Sequence, residues 1–223
     1  MDGGEEPEKM ADFFDARSDG YDEHMRRSVS DFHAFYESIA SPISKTSRAI
    51  RILDIGCGTG LELEGIFTRA PNARVTAVDL SEGMLANLRK THEERLDQLA
   101  VVKGSYLEVP LGESVYEYAV AVMTLHHLLP DRRRQLYDRI KKALKPGGTY
   151  IEGDWVVSQP EERRYLSRFE EMMGTQERIG DGQHHIDAPL AVESVMDLLF
   201  EAGFSSVNPV WRAEGTAVLA ARD

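Results

Sequence analysis

Ile52-Leu53-Asp54-Ile55-Gly56-Cys57-Gly58-Thr59-Gly60 is the stretch from which the rest of this chain is read. An apolar, β-branched run passes straight into three alternating glycines and then into a helical pattern, which predicts a buried strand, a tight turn and a helix. Glycine has no Cβ, so the backbone of such a turn bends sharply and comes close to a ligand. A nicotinamide-binding turn reads G-x-G-x-x-G. Here the glycines stand at 56, 58 and 60 with Leu61 next, and that spacing favours another cofactor.

The next informative stretch is Ala77-Val78-Asp79-Leu80-Ser81-Glu82-Gly83-Met84-Leu85. An acid at the end of a second strand can accept both hydroxyl protons of a ribose. Taken alone, Asp79 also reads as loop solvation, and Ser81 caps the following helix without any ligand. The two stretches at this separation argue together for a nucleoside site.

Working outward, short β-branched runs alternate with helical patterns, the mark of parallel strands joined by helical crossovers. The patterning predicts strands at 50–55, 73–78, 98–103, 116–123, 148–157, 204–211 and 215–221, and helices at 58–69, 81–95, 131–144 and 189–202. The last two strands are too close together for a parallel crossover and must form an antiparallel pair at the sheet edge. The expected fold is α/β, a Rossmann-like, seven-stranded, mostly parallel sheet with helices on both faces and an antiparallel last strand. From Met10 to Ile43 apolar residues recur at helical spacing, predicting a pair of helices, so 1–46 reads as an N-terminal lid and 47–223 as the main domain. Residues 158–187 are longer than a simple connection and are expected to cover the site.

Composition narrows the function. The 223 residues suffice for one domain, and the net charge of −12 works against nucleic acid and anionic lipid. The basic run Arg132, Arg133, Arg134, Arg139, Lys141 and Lys142 reads as a solvated helix face. No membrane span and no secretory signal is visible, and the lone Cys57 fits a reducing, cytoplasmic compartment. Monomer and homodimer are both compatible with the pattern.

With LDIGCGTG at 53–60, VDLSEGML at 78–85, LHHL at 125–128 and LKPGG at 144–148, the chain resembles the class I S-adenosylmethionine-dependent methyltransferases of the small-molecule type. The likeness covers about residues 47–221. It implies that Gly56, Gly58 and the backbone of Cys57 line the methionine half of S-adenosylmethionine, with Asp54 orienting its amino group. It implies further that Asp79 holds the ribose, that Leu80 or Met84 packs on the adenine, and that Ser105 and Tyr106 stand where the family contacts the adenine edge. Met123 and His126 then reach the cofactor from the fourth strand, and Tyr21 is a lid tyrosine. After transfer, S-adenosylhomocysteine would remain.

A sulfonium methyl is already electrophilic, so in-line displacement needs mainly alignment, plus a base if the acceptor is a hydroxyl or a protonated amine. The candidates for that base are His126, His127, His184, His185 and Asp154. Each has a purely structural counterpart reading as a satisfied polar side chain. His184 and His185 with Asp154 would be the metal set to look for, but adjacent loop histidines seldom point at one ion and no metal is expected. Trp155, Phe169, Met172 and Met173 read as core more readily than as an acceptor pocket, and Cys57 as a packed residue. A cofactor-binding regulatory protein and, further off, a nicotinamide oxidoreductase are the competing functions.

Overall fold

The computed structural model describes residues 8–173 and 184–223, with the side chains of 170–173 excepted. Seven strands form one sheet: β1 (Arg51–Ile55), β2 (Arg74–Asp79), β3 (Leu99–Lys103), β4 (Tyr116–Val122), β5 (Leu144–Trp155), β6 (Ser206–Ala213) and β7 (Thr216–Arg222). Their order is β3-β2-β1-β4-β5-β7-β6. The first five pair in parallel, while β7 runs antiparallel between β5 and β6. The expected hairpin at the end of the chain is therefore present, with its second strand inserted inside the edge. Strand order reverses between β1 and β4, and the crevice beyond the strand C-termini at such a switch is where open α/β sheets bind ligands.

Among the described residues eight α-helices surround the sheet: α1 (Met10–Asp15), α2 (Tyr21–Ser28), α3 (Phe32–Ala40), α4 (Leu63–Arg69), α5 (Glu82–Thr91), α6 (Pro130–Ala143), α7 (Gln159–Met173) and α8 (Val192–Glu201). Successive strand residues point to opposite faces. Ile52, Val75, Ala77 and Val120 meet Phe35 and Ile39 of α3, Ile66 of α4 and Leu85 of α5 on one side. Leu53, Ile55, Ala119 and Ala121 meet Leu136 and Ile140 of α6 and Val195 and Leu199 of α8 on the other. Both faces are thus covered, as a parallel sheet requires. Among the described residues no helix is long and apolar enough to cross a membrane.

Several boundaries differ from the sequence reading for local reasons. The helix expected from 58 begins only at Leu63, because Gly58 and Gly60 hold φ +50° and +79°, a left-handed backbone that no α-helix accepts. The second ends at Thr91 and passes into a 3₁₀ segment, Glu93–Gln98. β5 begins at Leu144, four residues early, and its register slips between the pairs Tyr116–Leu144 and Tyr118–Thr149, where Gly147 and Gly148 fall. The N-terminal pattern makes three helices, of which α3 is buried in the core of the sheet. Part of the 158–187 connection is α7, and 174–183 lie outside the described residues.

The basic run on α6 is not uniformly solvated. Arg133 is fully buried beneath the site, and Arg139 is folded back to donate to the Tyr106 and Val109 carbonyls at 2.6 and 2.5 Å. Arg134 does pair outward with Asp138 at 3.0 Å.

Candidate active site

The glycine turn is tied to the next strand before any ligand is considered. The amides of Gly56 and Cys57 both donate to the Val78 carbonyl, at 2.8 and 3.1 Å. Gly56 sits at φ +64°, and a Cβ there would run into the Thr124 side chain. The Asp79 carboxylate accepts from Gly58 N at 2.8 Å and from Ser81 N at 2.9 Å, which fixes it at the mouth of the crevice. Burial, the largest influence, lifts its pKa, while these donors work to lower it. Ser81 caps α5, its Oγ accepting from Met84 N at 3.1 Å.

Gly56, Gly58, Asp79, Leu80, Met84, Tyr106, Met123 and Tyr21 line one cleft, so most of the expected cofactor residues are brought together. Met123 holds a left-handed φ of +50°, uncommon for a side-chain-bearing residue, and its amide is anchored to the Gly153 carbonyl at 2.8 Å. Ser105 does not line the cleft; its Oγ accepts from the Leu107 amide at 3.3 Å, and Tyr106 takes the wall instead. Burial pushes the Tyr106 hydroxyl up to about 12. Cys57 is buried, and its thiol is pushed up by that burial, in keeping with a packed residue.

Asp54 lies below the cleft floor, fully buried, facing the Glu62 carboxyl and meeting no other side-chain or backbone partner among the described residues. Glu62, just before α4, is buried beside it, and one of its oxygens is unpartnered. Burial and the facing Glu62 carboxyl hold the Asp54 carboxyl well above the usual range, and burial pushes Glu62 up to about 7. The sequence reading missed Glu62; its one signal was an acid set between Leu61 and Leu63, where helix and turn both face inward.

The N-terminal helices are clasped over this cleft. Asp15 at the end of α1 accepts from Ser81 Oγ at 2.5 Å and Gly83 N at 2.9 Å, and Asp22 of α2 accepts from Thr59 Oγ1 at 2.6 Å. The Tyr21 ring lies over Gly58, and the cleft beneath holds only about 40 Å³ of free volume.

A second, larger pocket of about 840 Å³ opens beside it, sharing Phe14, Tyr21, Met123 and His127 with the cleft. Its inner wall carries His126 and Trp155, and its outer wall Phe13, Met25 and Val29. His126 Nδ1 is 2.5 Å from Asp154 Oδ1, and the His126 amide donates to the other oxygen at 2.9 Å. Asp154 does not reach the pocket; it lies behind His126, and although burial alone would raise its pKa, the neighbouring His126 and Arg133 hold it below the ordinary value. Behind Asp154, Arg133 lies 3.6 Å from Glu152 and 3.9 Å from Asp154, while Tyr137 and Tyr150 donate to Glu152 at 2.7 and 2.8 Å.

His127 and His185 also face the pocket, whereas His184 pairs with Lys9 in an isolated β-bridge. Burial lowers His127 and brings His185 down to about 4, with Phe13 stacked on the His185 ring at 3.5 Å. Phe169 packs with Ile186 and Leu129 away from the pocket, and the Met172 and Met173 side chains lie outside the described ones.

Comparison with known proteins fits this geometry. Residues 52–148, from the first strand through the β5 glycines, match the family model of the methyltransferase domain. That match and the methyltransferases this chain resembles support a class I S-adenosylmethionine-dependent methyltransferase. A carboxy-S-adenosyl-L-methionine synthase of Wolinella succinogenes is 25% identical over 222 residues, covering 93% of this chain and 91% of that one. The 24-methylenesterol C-methyltransferase 3 of Arabidopsis thaliana is 27% identical over 136 residues, 60% of this chain but only 37% of the plant enzyme. In fold, a putative O-methyltransferase from Nostoc punctiforme superposes with a TM-score of 0.70 at 18% identity, over 96% of this chain and 62% of that one.

S-adenosylmethionine is the cofactor of this family, and the residues present suit it. The glycine cradle admits a backbone-hugging ligand, Asp79 has lone pairs left for a ribose, and the orphaned carboxylates of Asp54 and Glu62 call for a cation such as an amino acid ammonium.

Proposed function

We propose that this chain transfers a methyl group from S-adenosylmethionine to a small, largely apolar acceptor whose reacting atom must lose a proton. The observation that carries this reading is the His126–Asp154 pair on the inner wall of a pocket that adjoins the cofactor cleft. The cofactor, when bound, supplies an electrophilic methyl on a sulfonium. The chain supplies alignment: Asp79, Gly56 and Gly58 fix the nucleoside and amino acid ends, and Phe14, Tyr21 and Met123 form the partition between the two compartments.

His126 serves as general base. Asp154 accepts from Nδ1, which leaves the Nε2 lone pair for the acceptor's proton, and the Asp154 carboxylate then stabilises the imidazolium. Asp154 is thus a positioning residue, and Arg133 with Glu152 positions Asp154. The apolar wall of Phe13, Phe14, Met25, Val29 and Trp155 suits a ring or short hydrocarbon body carrying a hydroxyl. The net charge of −12 works against a polyanionic acceptor and a nucleic acid, and a cytoplasmic location is consistent with the single buried cysteine.

Calorimetric titration with S-adenosylmethionine and S-adenosylhomocysteine tests the cofactor half. Micromolar binding, weakened tenfold or more by Asp79→Ala, is expected, and no binding to either nucleoside would overturn the reading. Methyl transfer to a panel of phenols and hydroxy acids tests the rest. Binding without turnover on any acceptor would favour a regulatory binding protein.

A further inference from the structure

The inner wall of the large pocket carries more imidazole than one base requires. His126 and His127 lie with ring centroids 4.0 Å apart, and His127 and His185 4.7 Å apart. One donor atom from each of His126, His127 and Asp187 falls within 4.8 Å of the other two. His185 Nε2 stands 3.9 Å from the same Asp187 carboxylate, and all four residues line the pocket.

The hydrogen bonds behind these rings have the form that metal ligands use. His127 Nδ1 is 2.9 Å from the Ile186 carbonyl and 3.4 Å from Asp187 Oδ1. A carbonyl can only accept, so Nδ1 carries the hydrogen and Nε2 keeps its lone pair. His126 stands likewise against the Asp154 carboxylate. Imidazoles that bind metal almost always donate their other N–H to a carboxylate or a backbone carbonyl, and this wall shows one of each. From the sequence no metal is expected, and the set to look for is His184 and His185 with Asp154; the fold instead brings together histidines from just after β4 and an acid from the segment before α8.

We propose that His126, His127 and Asp187 form a binding site for a divalent transition cation of the zinc and nickel class, with His185 at hand as a fourth ligand. Two or three imidazoles and one carboxylate suit those ions, and not magnesium or calcium, which take oxygen ligands. The ion would occupy the Nε2 lone pair of His126. This consequence rests on the proposed function: with His126 as the base of that reaction, the loaded protein would be held unable to take the acceptor's proton. Metal binding itself rests only on the geometry.

The test is a titration of the full-length, untagged protein, stripped with EDTA, using nickel chloride and zinc chloride as probes. Trp155 lies 5.7 Å from the His126 ring, so bound nickel quenches its fluorescence, and calorimetry with zinc counts the sites independently. One saturable equivalent is expected. Asp187→Asn, at an exposed position, and His127→Gln should each weaken it at least tenfold, while His33→Gln on the surface leaves it unchanged. Far-ultraviolet circular dichroism and the thermal melting curve report whether each variant is folded. Absence of saturable binding, or equal binding by Asp187→Asn and the unmodified chain, would overturn the site and leave these rings as aromatic packing against Phe13 and Phe14. Failure of methyl transfer on every acceptor would leave the titration untouched, so the two readings fail separately.

Discussion

Replacing Glu62 by Gln should make the cofactor-free protein more stable above neutral pH, and the size follows from the site. Glu62 is buried against Asp54 with no cation among the described residues beside the pair, and its pKa is pushed up from an ordinary 4.5 to about 7. A carboxyl whose folded pKa exceeds its unfolded one contributes stability that is fully present below pH 4.5 and is lost as pH rises through about 7. At 1.36 kcal/mol per pKa unit, the loss attributable to Glu62 across that window is about 3 kcal/mol. Gln has the same shape and does not titrate. The stability difference between Glu62→Gln and the unmodified chain should therefore grow by ~3 kcal/mol between pH 4.5 and pH 8, or ~6–12 °C in melting temperature for a domain of this size.

Urea unfolding at pH 4.5, 6, 7 and 8, without ligand and with saturating S-adenosylhomocysteine, measures this. The ligand brings an ammonium to the acidic floor, so it should flatten the slope of the unmodified protein and stabilise it most at high pH. Parallel pH profiles for the variant and the unmodified chain would refute the argument, because they would mean that the buried carboxyls share no proton.

Three further outcomes follow from the same geometry. Asp154→Asn should lower kcat by about 10²–10⁴, the usual worth of a general base, while KM and S-adenosylhomocysteine affinity stay within a few-fold, and initial rates on any accepted substrate will separate the two. Gly83→Ala adds a Cβ only 2.6 Å from Ser18 Oγ, so the α1–α2 connection must shift; cofactor affinity should fall severalfold, although alanine within a helix otherwise gains about 1 kcal/mol over glycine. Asp22→Ala removes the hydrogen bond from Thr59 that seats α2 on the glycine turn, and trypsin should then cut faster at Arg17 and Arg26, with S-adenosylhomocysteine restoring less protection than in the unmodified chain.

The parts of this site that were legible in the sequence are those fixed by local backbone demands. Gly56 and Gly58 need positive φ, Ser81 caps α5, and Asp79 ends a strand two residues before that cap, so each is readable from its neighbours. The strand and helix alternation was readable for the same reason. Arg133 was readable in principle, since it lies one helical turn before Leu136 and Tyr137 and two before Ile140, on the stripe that faces the sheet. Its neighbours Arg132 and Arg134 drew it into a charge run instead. Glu152 and Asp154 lie two apart on one strand and share a face, yet nothing local says that this face meets Arg133. The clasp by Asp15 and Asp22, and the approach of Asp187 to His127, join segments between 37 and 68 residues apart, and no periodicity encodes contacts of that range.

The two buried acidic groups differ in one respect that separates structure from function. Under the large pocket, Glu152 and Asp154 have Arg133 between them and two tyrosine hydroxyls on Glu152, so the fold itself supplies their positive charge and donors. Under the cleft, Asp54 and Glu62 have neither among the described residues, although a buried charge left unpaired is among the costlier features a core can hold. A chain that neutralises one acidic pair with a buried arginine had the same means available for the other. The missing counter-charge at Asp54 and Glu62 is therefore best accounted for by a ligand that brings its own cation. Of the two cationic groups of S-adenosylmethionine, only the ammonium hydrogen-bonds to carboxylates, so the proposed reading sets it at this floor and directs the sulfonium toward the partition formed by Tyr21 and Met123.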